Sequence, residues 1–331
     1  MRKEGLYMKT ISIVIPCYNE QENVGPICRA VQEVLRSQLP GYGYEILFID
    51  NKSKDRTREI LRDLCREDPH VKAIFNLKNF GQFNSPYYAL CQASGDCAVL
   101  LCADFQDPVE LIPQMVHQWE AGHKVICMIK SSSRENPLVY CLRSVYYKLI
   151  RRMSQDVEQI EHFTGFGLYD RSFLNILRDL KDPTPFLRGI VAEYAPDHLE
   201  IPYEQQLRRA GKTSNNFFSL FDAAMLSFTS YTRGGLRLAT FGGVLISFFS
   251  FLVGLFYLVI KLIHWDQFPM GNAPILLGVF FLGGIQIFFL GLLGEYVMSI
   301  NTRVMDRPLV IEEERLNFPP CGEDPPAPKA P

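Results

Sequence analysis

Short, mainly apolar runs alternate with amphipathic stretches through the first 130 positions of this chain. Residues 11–15, 45–49, 71–75, 97–102 and 124–129 are runs of strand length. Helical spacing fills the gaps between them. Val24, Ile27, Val31 and Leu35 share one side of a predicted helix. Ile60, Leu61 and Leu64 follow a polar segment, 53–57, that offers capping side chains, and a further helix is predicted over residues 82–93. Strands that lack polar alternation are buried on both faces, so the pattern predicts an α/β fold with a mostly parallel sheet between two layers of helices. Such sheets bind ligands beyond the carboxyl ends of their strands, and the polar clusters of this chain lie at those positions.

The alternation weakens after Ser131. Residues 137–153 read as a helix carrying Tyr140, Tyr146 and Tyr147 beside Arg143, Lys148, Arg151 and Arg152, and 215–231 as a second, Phe-rich amphipathic helix. Both suit a membrane surface, and both also suit ordinary packing against the sheet. Two charge-free apolar runs follow, 238–260 and 273–294, each long enough to cross a bilayer. Gly242-Gly243 and Gly283-Gly284 allow close helix approach, either within the chain or in a homo-oligomer. Arg233 and Arg237 precede the first run and Arg303 and Arg307 follow the second, while the loop between holds Lys261 beside Asp266. This bias predicts an integral membrane protein with two spans and with head and tail on the cytosolic side, as in a bacterial-type inner membrane. The expected divisions are a lead-in (1–9), a head (10–212), a juxtamembrane helix (213–235), spans at 236–263 and 273–300, and a tail (301–331) with a disordered proline-rich end.

Composition narrows the classes. The 331 residues carry a net charge of −2, which does not suggest a nucleic-acid binder. Nine cysteines without a C-x-x-C pair predict reduced, core-filling thiols, and six histidines show no zinc spacing. The first ten residues lack the apolar core of a signal peptide, and Met8 is a second candidate start.

Four clusters at strand ends carry the candidate chemistry. Pro16-Cys17-Tyr18-Asn19-Glu20 pairs an aromatic ring with polar groups that suit a base and its ribose. Asp50-Asn51-Lys52-Ser53 offers a carboxylate to a base N–H or a ribose hydroxyl. Asn79-Phe80-Gly81-Gln82 places a glycine where backbone can approach a ligand. Asp104-Phe105-Gln106-Asp107 gathers hard oxygen ligands that suit Mg²⁺ or Mn²⁺ on a diphosphate. Taken singly, each cluster also reads as a helix start or cap; four at successive strand ends favour a common site.

With these residues the chain resembles the glycosyltransferase family 2 enzymes with a GT-A (Rossmann-like) head, and within them the polyprenyl-phosphate glycosyltransferases, such as dolichyl-phosphate mannose synthases and bacterial undecaprenyl-phosphate glucosyltransferases. The carriers are IVIPCYNEQENV (13–24), IDNKSKDRT (49–57), NFGQ (79–82), ADFQDPVELI (103–112), PFLRGIVAEY (185–194) and RRAGKTSNNF (208–217), with the two spans. The resemblance implies that Pro16, Tyr18, Asn19, Glu20, Asp50, Asn51, Ser53, Gly81 and Gln82 surround the nucleotide-sugar. It implies a metal at Asp104 with Gln106 nearby. Lys130, Arg134 and Arg143 are implied at the acceptor phosphate, with Arg209 and Lys212 in a loop over the donor and acceptor phosphates. Asp104, Arg134, Arg209 and Lys212 are the implied catalytic set.

Three positions depart from the family pattern. Cys102-Ala103-Asp104 stands where relatives usually have Asp-x-Asp, Asp50-Asn51 where they have Asp-Asp, and Gly165 where many carry an acceptor-side aspartate. Asp107 is a candidate replacement for the first acid, or a helix cap. A missing general base is tolerable, because a phosphate monoester with a second pKa of about 6 is mostly dianionic at pH 7. The expected activity is inverting, metal-dependent transfer of a hexose to polyprenyl phosphate, with a UDP-linked donor favoured over a GDP-linked one. A saccharide or protein acceptor is the alternative within the enzyme class, and a degenerate membrane scaffold the alternative outside it.

Overall fold

The apolar runs form the centre of one eight-stranded sheet, ordered β7-β5-β6-β4-β1-β2-β3-β8. A computed structural model describes residues 8–132, 160–209, 272–305 and 307–319, with scattered helical positions between 245 and 263. Strands β1 (Thr10–Cys17), β2 (Gly43–Asp50), β3 (Val71–Asn76) and β4 (Cys97–Leu100) make the parallel core. Helices α1 (Val24–Gln38), α2 (Thr57–Glu67) and α3 (Gly81–Gln92) connect them, as the spacing predicts, and α4 (Ile112–Glu120) leads into β5 (Val125–Ser132). Ile11, Ile13, Val14 and Ile15 of β1 and Ile46 through Ile49 of β2 are fully buried, which accounts for runs without polar alternation.

Three strands lie outside the apolar runs. β6 (Phe163–Asp170) runs antiparallel between β4 and β5, and β7 (Leu199–Glu204) pairs parallel with β5. Gly167 is required in β6, because a Cβ there would stand 2.2 Å from the Ile126 carbonyl oxygen. Helices α5 (Arg171–Leu180) and α6 (Leu187–Tyr194) lie between β6 and β7; Asp170 caps α5 by accepting from the Ser172 N–H at 2.8 Å. Finally β8 (Glu312–Leu316) adds to the free edge of β3 in antiparallel sense. The segment read from sequence as a tail thus supplies an edge strand of the head. Its charged side chains meet Arg62, and Arg58 and Arg62 lie over the Phe75 ring at 5.3 and 4.8 Å.

Chain order runs from β1 out through β2 to β3, then returns to place β4 on the other side of β1. The order therefore reverses between β1 and β4, and a crevice opens at such a point beyond the carboxyl ends. Cys17, Cys28, Cys65, Cys97 and Cys127 are buried and, like Cys91 and Cys102, unpaired.

The chain divides into two units: the head, with residues 1–136, 159–214 and 306–331, and a second unit of 137–158 and 215–305. In the second unit α7 (Asn272–Val304) is 33 residues long and contains one apolar stretch, Leu282–Val304, that meets the length and composition needed to cross a membrane. Two spans are expected from the sequence; one such helix is present among the described residues, and most of 236–263 lies outside them.

Candidate active site

Each core strand ends in a turn through the left-handed region: Asn19 (φ 55°) after β1, Lys52 (65°) after β2, Gly81 (89°) after β3 and Phe105 (62°) after β4. Left-handed conformations are costly for residues with a Cβ, so surrounding contacts must hold them. The Asn19 side-chain oxygen accepts from the Lys54 N–H at 2.8 Å, and the Asn19 N–H donates to Ser53 Oγ at 2.8 Å. The Glu20 N–H donates to Thr57 Oγ1 at 2.9 Å. These bonds lock the β1 and β2 loops together and engage Asn19 and Ser53 in the scaffold.

Asn51 is the hub of the neighbouring loops. Its Oδ1 accepts from the Phe80 N–H at 2.8 Å, Ser85 Oγ at 2.9 Å and Asn76 Nδ2 at 3.2 Å, while its Nδ2 donates to Asn79 Oδ1 at 2.8 Å and the Gly81 carbonyl at 3.1 Å. An aspartate could not donate those last two bonds, which gives this chain a physical reason for Asn51. Gly81 and Gln82 are exposed at the start of α3, and Pro16 and Tyr18 are half-buried at the end of β1. Asp50 is fully buried; both its oxygens accept from the Ser53 N–H at 3.2 Å, and Arg58 Nε donates to it at 2.6 Å.

The reversal point is bridged by one guanidinium. Arg208 Nη2 donates to Glu20 Oε1 at 2.6 Å, and Arg208 Nε lies 3.3 Å from Asp104 Oδ2. That Nε is buried and makes no hydrogen bond, so it meets Asp104 through charge alone. Glu20 Oε2 also accepts from Asn23 Nδ2 at 2.6 Å. Burial raises the Glu20 carboxyl, while the bonds from Asn23 and Arg208 pull it back. Asp104 Oδ1 accepts from the Gln106 N–H at 3.1 Å. Segments 104–106 and 206–209 are zipped by backbone bonds, from the Arg209 N–H to the Asp104 carbonyl at 3.3 Å and from the Gln206 N–H to the Gln106 carbonyl at 3.2 Å.

Arg208 is the functional residue that sequence reasoning missed. Its neighbour Arg209 stands over the Phe105 ring at 5.1 Å. Among the contacts of the described residues, Arg208 reaches the acids and Arg209 meets the Phe105 ring. Asp107 is neither a second outward acid nor a helix cap: it is buried, accepts from the Cys102 N–H at 3.1 Å and the Tyr203 hydroxyl at 3.0 Å, and its carboxyl is raised by that burial. Cys102 is exposed. Gly165 has φ 105°, and a Cβ there would meet Leu100 at 3.6 Å and Leu187 at 3.8 Å, so an acid would be strained and set among apolar atoms. Lys130 is half-buried on β5 opposite Tyr203. Arg134, Arg143 and Lys212 lie outside the described residues.

A model described as glycosyl transferase family 2 matches residues 12–177, and one described as GtrB C-terminal hairpin matches 243–300. This chain belongs to glycosyltransferase family 2. The family 2 match spans β1 through β6 and includes Glu20, Asp50 and Asp104; Arg208 lies beyond it. A SfII prophage-derived bactoprenol glucosyl transferase of Shigella flexneri is 31% identical over 91% of this chain and 96% of its own length. A prophage bactoprenol glucosyl transferase homolog of Escherichia coli (strain K12) is 30% identical over 91% of this chain and 97% of its own. Among solved structures, mannosyl-3-phosphoglycerate synthase from Rubrobacter xylanophilus aligns with a TM-score of 0.48 at 17% identity, over 71% of this chain and 75% of its own. The protein is thus a family 2 glycosyltransferase whose acidic and basic groups meet at the sheet's reversal point.

Proposed function

We propose that this glycosyltransferase moves a hexose from a UDP-linked donor to polyprenyl phosphate at the cytosolic face of a membrane, with inversion at the anomeric carbon. One observation carries the acceptor: the likeness to bactoprenol glucosyl transferases runs through both head and hairpin, at 31% identity over 91% of the chain. The cluster of Glu20, Arg208 and Asp104 supports a diphosphate leaving group.

A divalent ion fits this cluster. Asp104 already faces a cation, the Arg208 guanidinium at 3.3 Å, so the space before it favours positive charge. Among the described residues no three His, Cys, Asp or Glu side chains gather as a metal cage. Mg²⁺ is commonly held by one or two carboxylates together with substrate phosphates and water. Asp104 would hold the ion, with Gln106 beside it. When bound, the ion would neutralise charge on the departing nucleoside diphosphate.

The chain's own residues have separate tasks in this reading. Pro16, Tyr18 and Asp50 bound the nucleoside, while Asn19, Asn51, Ser53 and Gly81 hold the loops around it. Arg208 faces the diphosphate, with Arg209 and Lys212 in the adjoining segment. Lys130, Arg134 and Arg143 attract the lipid phosphate. An acceptor oxygen of the dianion attacks the anomeric carbon as the bond to the diphosphate oxygen breaks, with no proton to remove first. Alignment of the two groups and stabilisation of the leaving charge then supply the catalysis.

The apolar run 238–260 precedes α7 and, at its length, supports a second span in this reading. Given labelled UDP- and GDP-hexoses, the purified full chain is expected to label polyprenyl phosphate with a UDP-hexose, and to leave polyprenol and soluble saccharides unlabelled. Labelled saccharide without labelled lipid would reject this reading.

A further inference from the structure

Strand β8 reaches the proposed nucleoside end of the site. Its pairing with β3 shifts between Phe75 and Asn76, where Phe75 opposes Glu314 and Asn76 opposes Glu312. Glu313 falls in that irregularity, a device that re-aims a side chain. Its Oε2 accepts from Lys52 Nζ at 2.7 Å and from Arg58 Nη1 at 2.8 Å. Arg58 is thereby engaged on every nitrogen: Nε donates to Asp50 at 2.6 Å, Nη2 to the Asn76 carbonyl at 2.7 Å and Nη1 to Glu313. Glu312 accepts from the Tyr88 hydroxyl at 2.9 Å, and the Leu77 N–H donates to the Ile311 carbonyl at 2.9 Å, so the strand is fixed on both sides of Glu313.

Arg58, at the start of α2, bonds Asp50, while Lys52, in the left-handed turn after β2, meets Arg58 only through their shared partner Glu313. Bonds from Lys52 and then Arg58 hold the Glu313 carboxyl down to about 2, so it stays charged at any working pH. An arginine bonded at three points has one orientation left, and Asp50 is held between that arginine and the Ser53 N–H. Without Glu313, Arg58 and Lys52 would face the same space with no counter-charge from the tail.

We propose that β8 is a working part of the donor pocket and that Glu313 is a positioning residue, which fixes Arg58 and Lys52 and through Arg58 sets Asp50 for the nucleoside of the donor. The inference rests on the reading above that Asp50 meets that nucleoside. It gives the segment after the membrane helix a role in donor binding as well as in closing the sheet edge.

The test uses the full chain in detergent, with UDP and Mg²⁺ as the binding probe and donor KM, lipid KM and kcat measured alongside. Glu313→Gln is expected to raise the UDP Kd and the donor KM about fivefold to tenfold, with kcat and lipid KM within about twofold. Glu313→Asp, which restores the charge, is expected to recover part of the loss. Glu314→Gln on the same strand loses its pairing with Arg62 and is expected to leave UDP binding unchanged. If Glu313→Gln binds UDP as wild type does while Asp50→Asn binds it weakly, β8 is a passive edge strand and the proposal fails alone. Equal weakening in Glu313→Gln and Glu314→Gln, with equal loss of melting temperature, would also overturn it, because docking of the strand would then be the whole effect. If Asp50→Asn leaves UDP binding intact, the placement of the nucleoside at Asp50 fails and takes the proposal with it.

Discussion

Asp104→Ala is expected to abolish measurable hexose transfer, lowering kcat/KM by about 10³-fold or more, the scale of several kcal/mol of charge stabilisation in the transition state. Asp104 is the acid of its turn that faces Arg208, whereas Asp107, three residues on, is engaged by the Cys102 N–H and the Tyr203 hydroxyl. No described carboxylate is placed to replace it except Glu20, which Arg208 and Asn23 already hold. The substitution leaves the Glu20–Arg208 pairing in place, and it removes the acceptor of the Gln106 N–H and the charge facing the buried Arg208 Nε. A modest fall in melting temperature is therefore expected, and folded protein is confirmed by its retained binding of uridine. Binding of UDP should lose its dependence on Mg²⁺ or Mn²⁺, whereas binding of uridine, which has no phosphates, should persist. Metal-dependent turnover that survives in Asp104→Ala would remove this residue from the site.

Arg208→Ala is expected to lower kcat/KM by about 10²-fold, against less than about tenfold for Arg209→Ala. The first removes the cation shared by Glu20 and Asp104, at 2.6 and 3.3 Å. Two acids of like charge are then left to face a diphosphate, and breaking a largely buried ion pair by deleting one partner is costly. The second removes a guanidinium whose contact is the Phe105 ring. Arg208→Lys should rescue poorly, because an ammonium is a point charge and cannot address two carboxylates in the fixed geometry of a guanidinium. Steady-state kinetics with varied donor separate the pair. A larger defect in Arg209→Ala than in Arg208→Ala would show that the facing of this segment is the reverse of that described.

The core strands were legible because they are buried on both sides and are apolar at most positions, with Ser12, Glu45 and Lys72 as polar exceptions tied to one another. β6 and β8 escaped for opposite reasons. β6 carries Gly165 and Gly167, which dilute the apolar signal, yet Gly167 is there because β5 comes too close for a Cβ. β8 reads Glu-Glu-Glu-Arg-Leu, a charged string that becomes a strand through cations on the head: Lys52, Arg58 and Arg62. Nothing local in that string marks it as a strand. In β7, Pro202 and exposed alternate residues hide the pattern in the same way.

The site shows the same division. Acids at strand ends could be read from the chain because the topology of parallel sheets puts ligands there. Which acid meets the basic segment could not, since Asp104 and Asp107 are equivalent in sequence and differ only in what the turn brings against them. The same holds for Arg208 and Arg209, adjacent in sequence and separated only by what each meets after β7. The resemblance places Asn51 among the nucleotide contacts, and only the structure shows that its five hydrogen bonds also tie the β2, β3 and α3 loops together.

Oxygen bookkeeping in the product addresses the transfer step directly. Purified enzyme would receive an α-linked UDP-hexose and polyprenyl phosphate carrying oxygen-18 on its phosphate, and the lipid product would be isolated for anomeric configuration and isotope position. Direct attack by the lipid phosphate is expected to give a β-linked sugar phosphate that keeps all of the acceptor's oxygen-18, with none in the released UDP. An α-linked product, or heavy oxygen in the UDP, would contradict it.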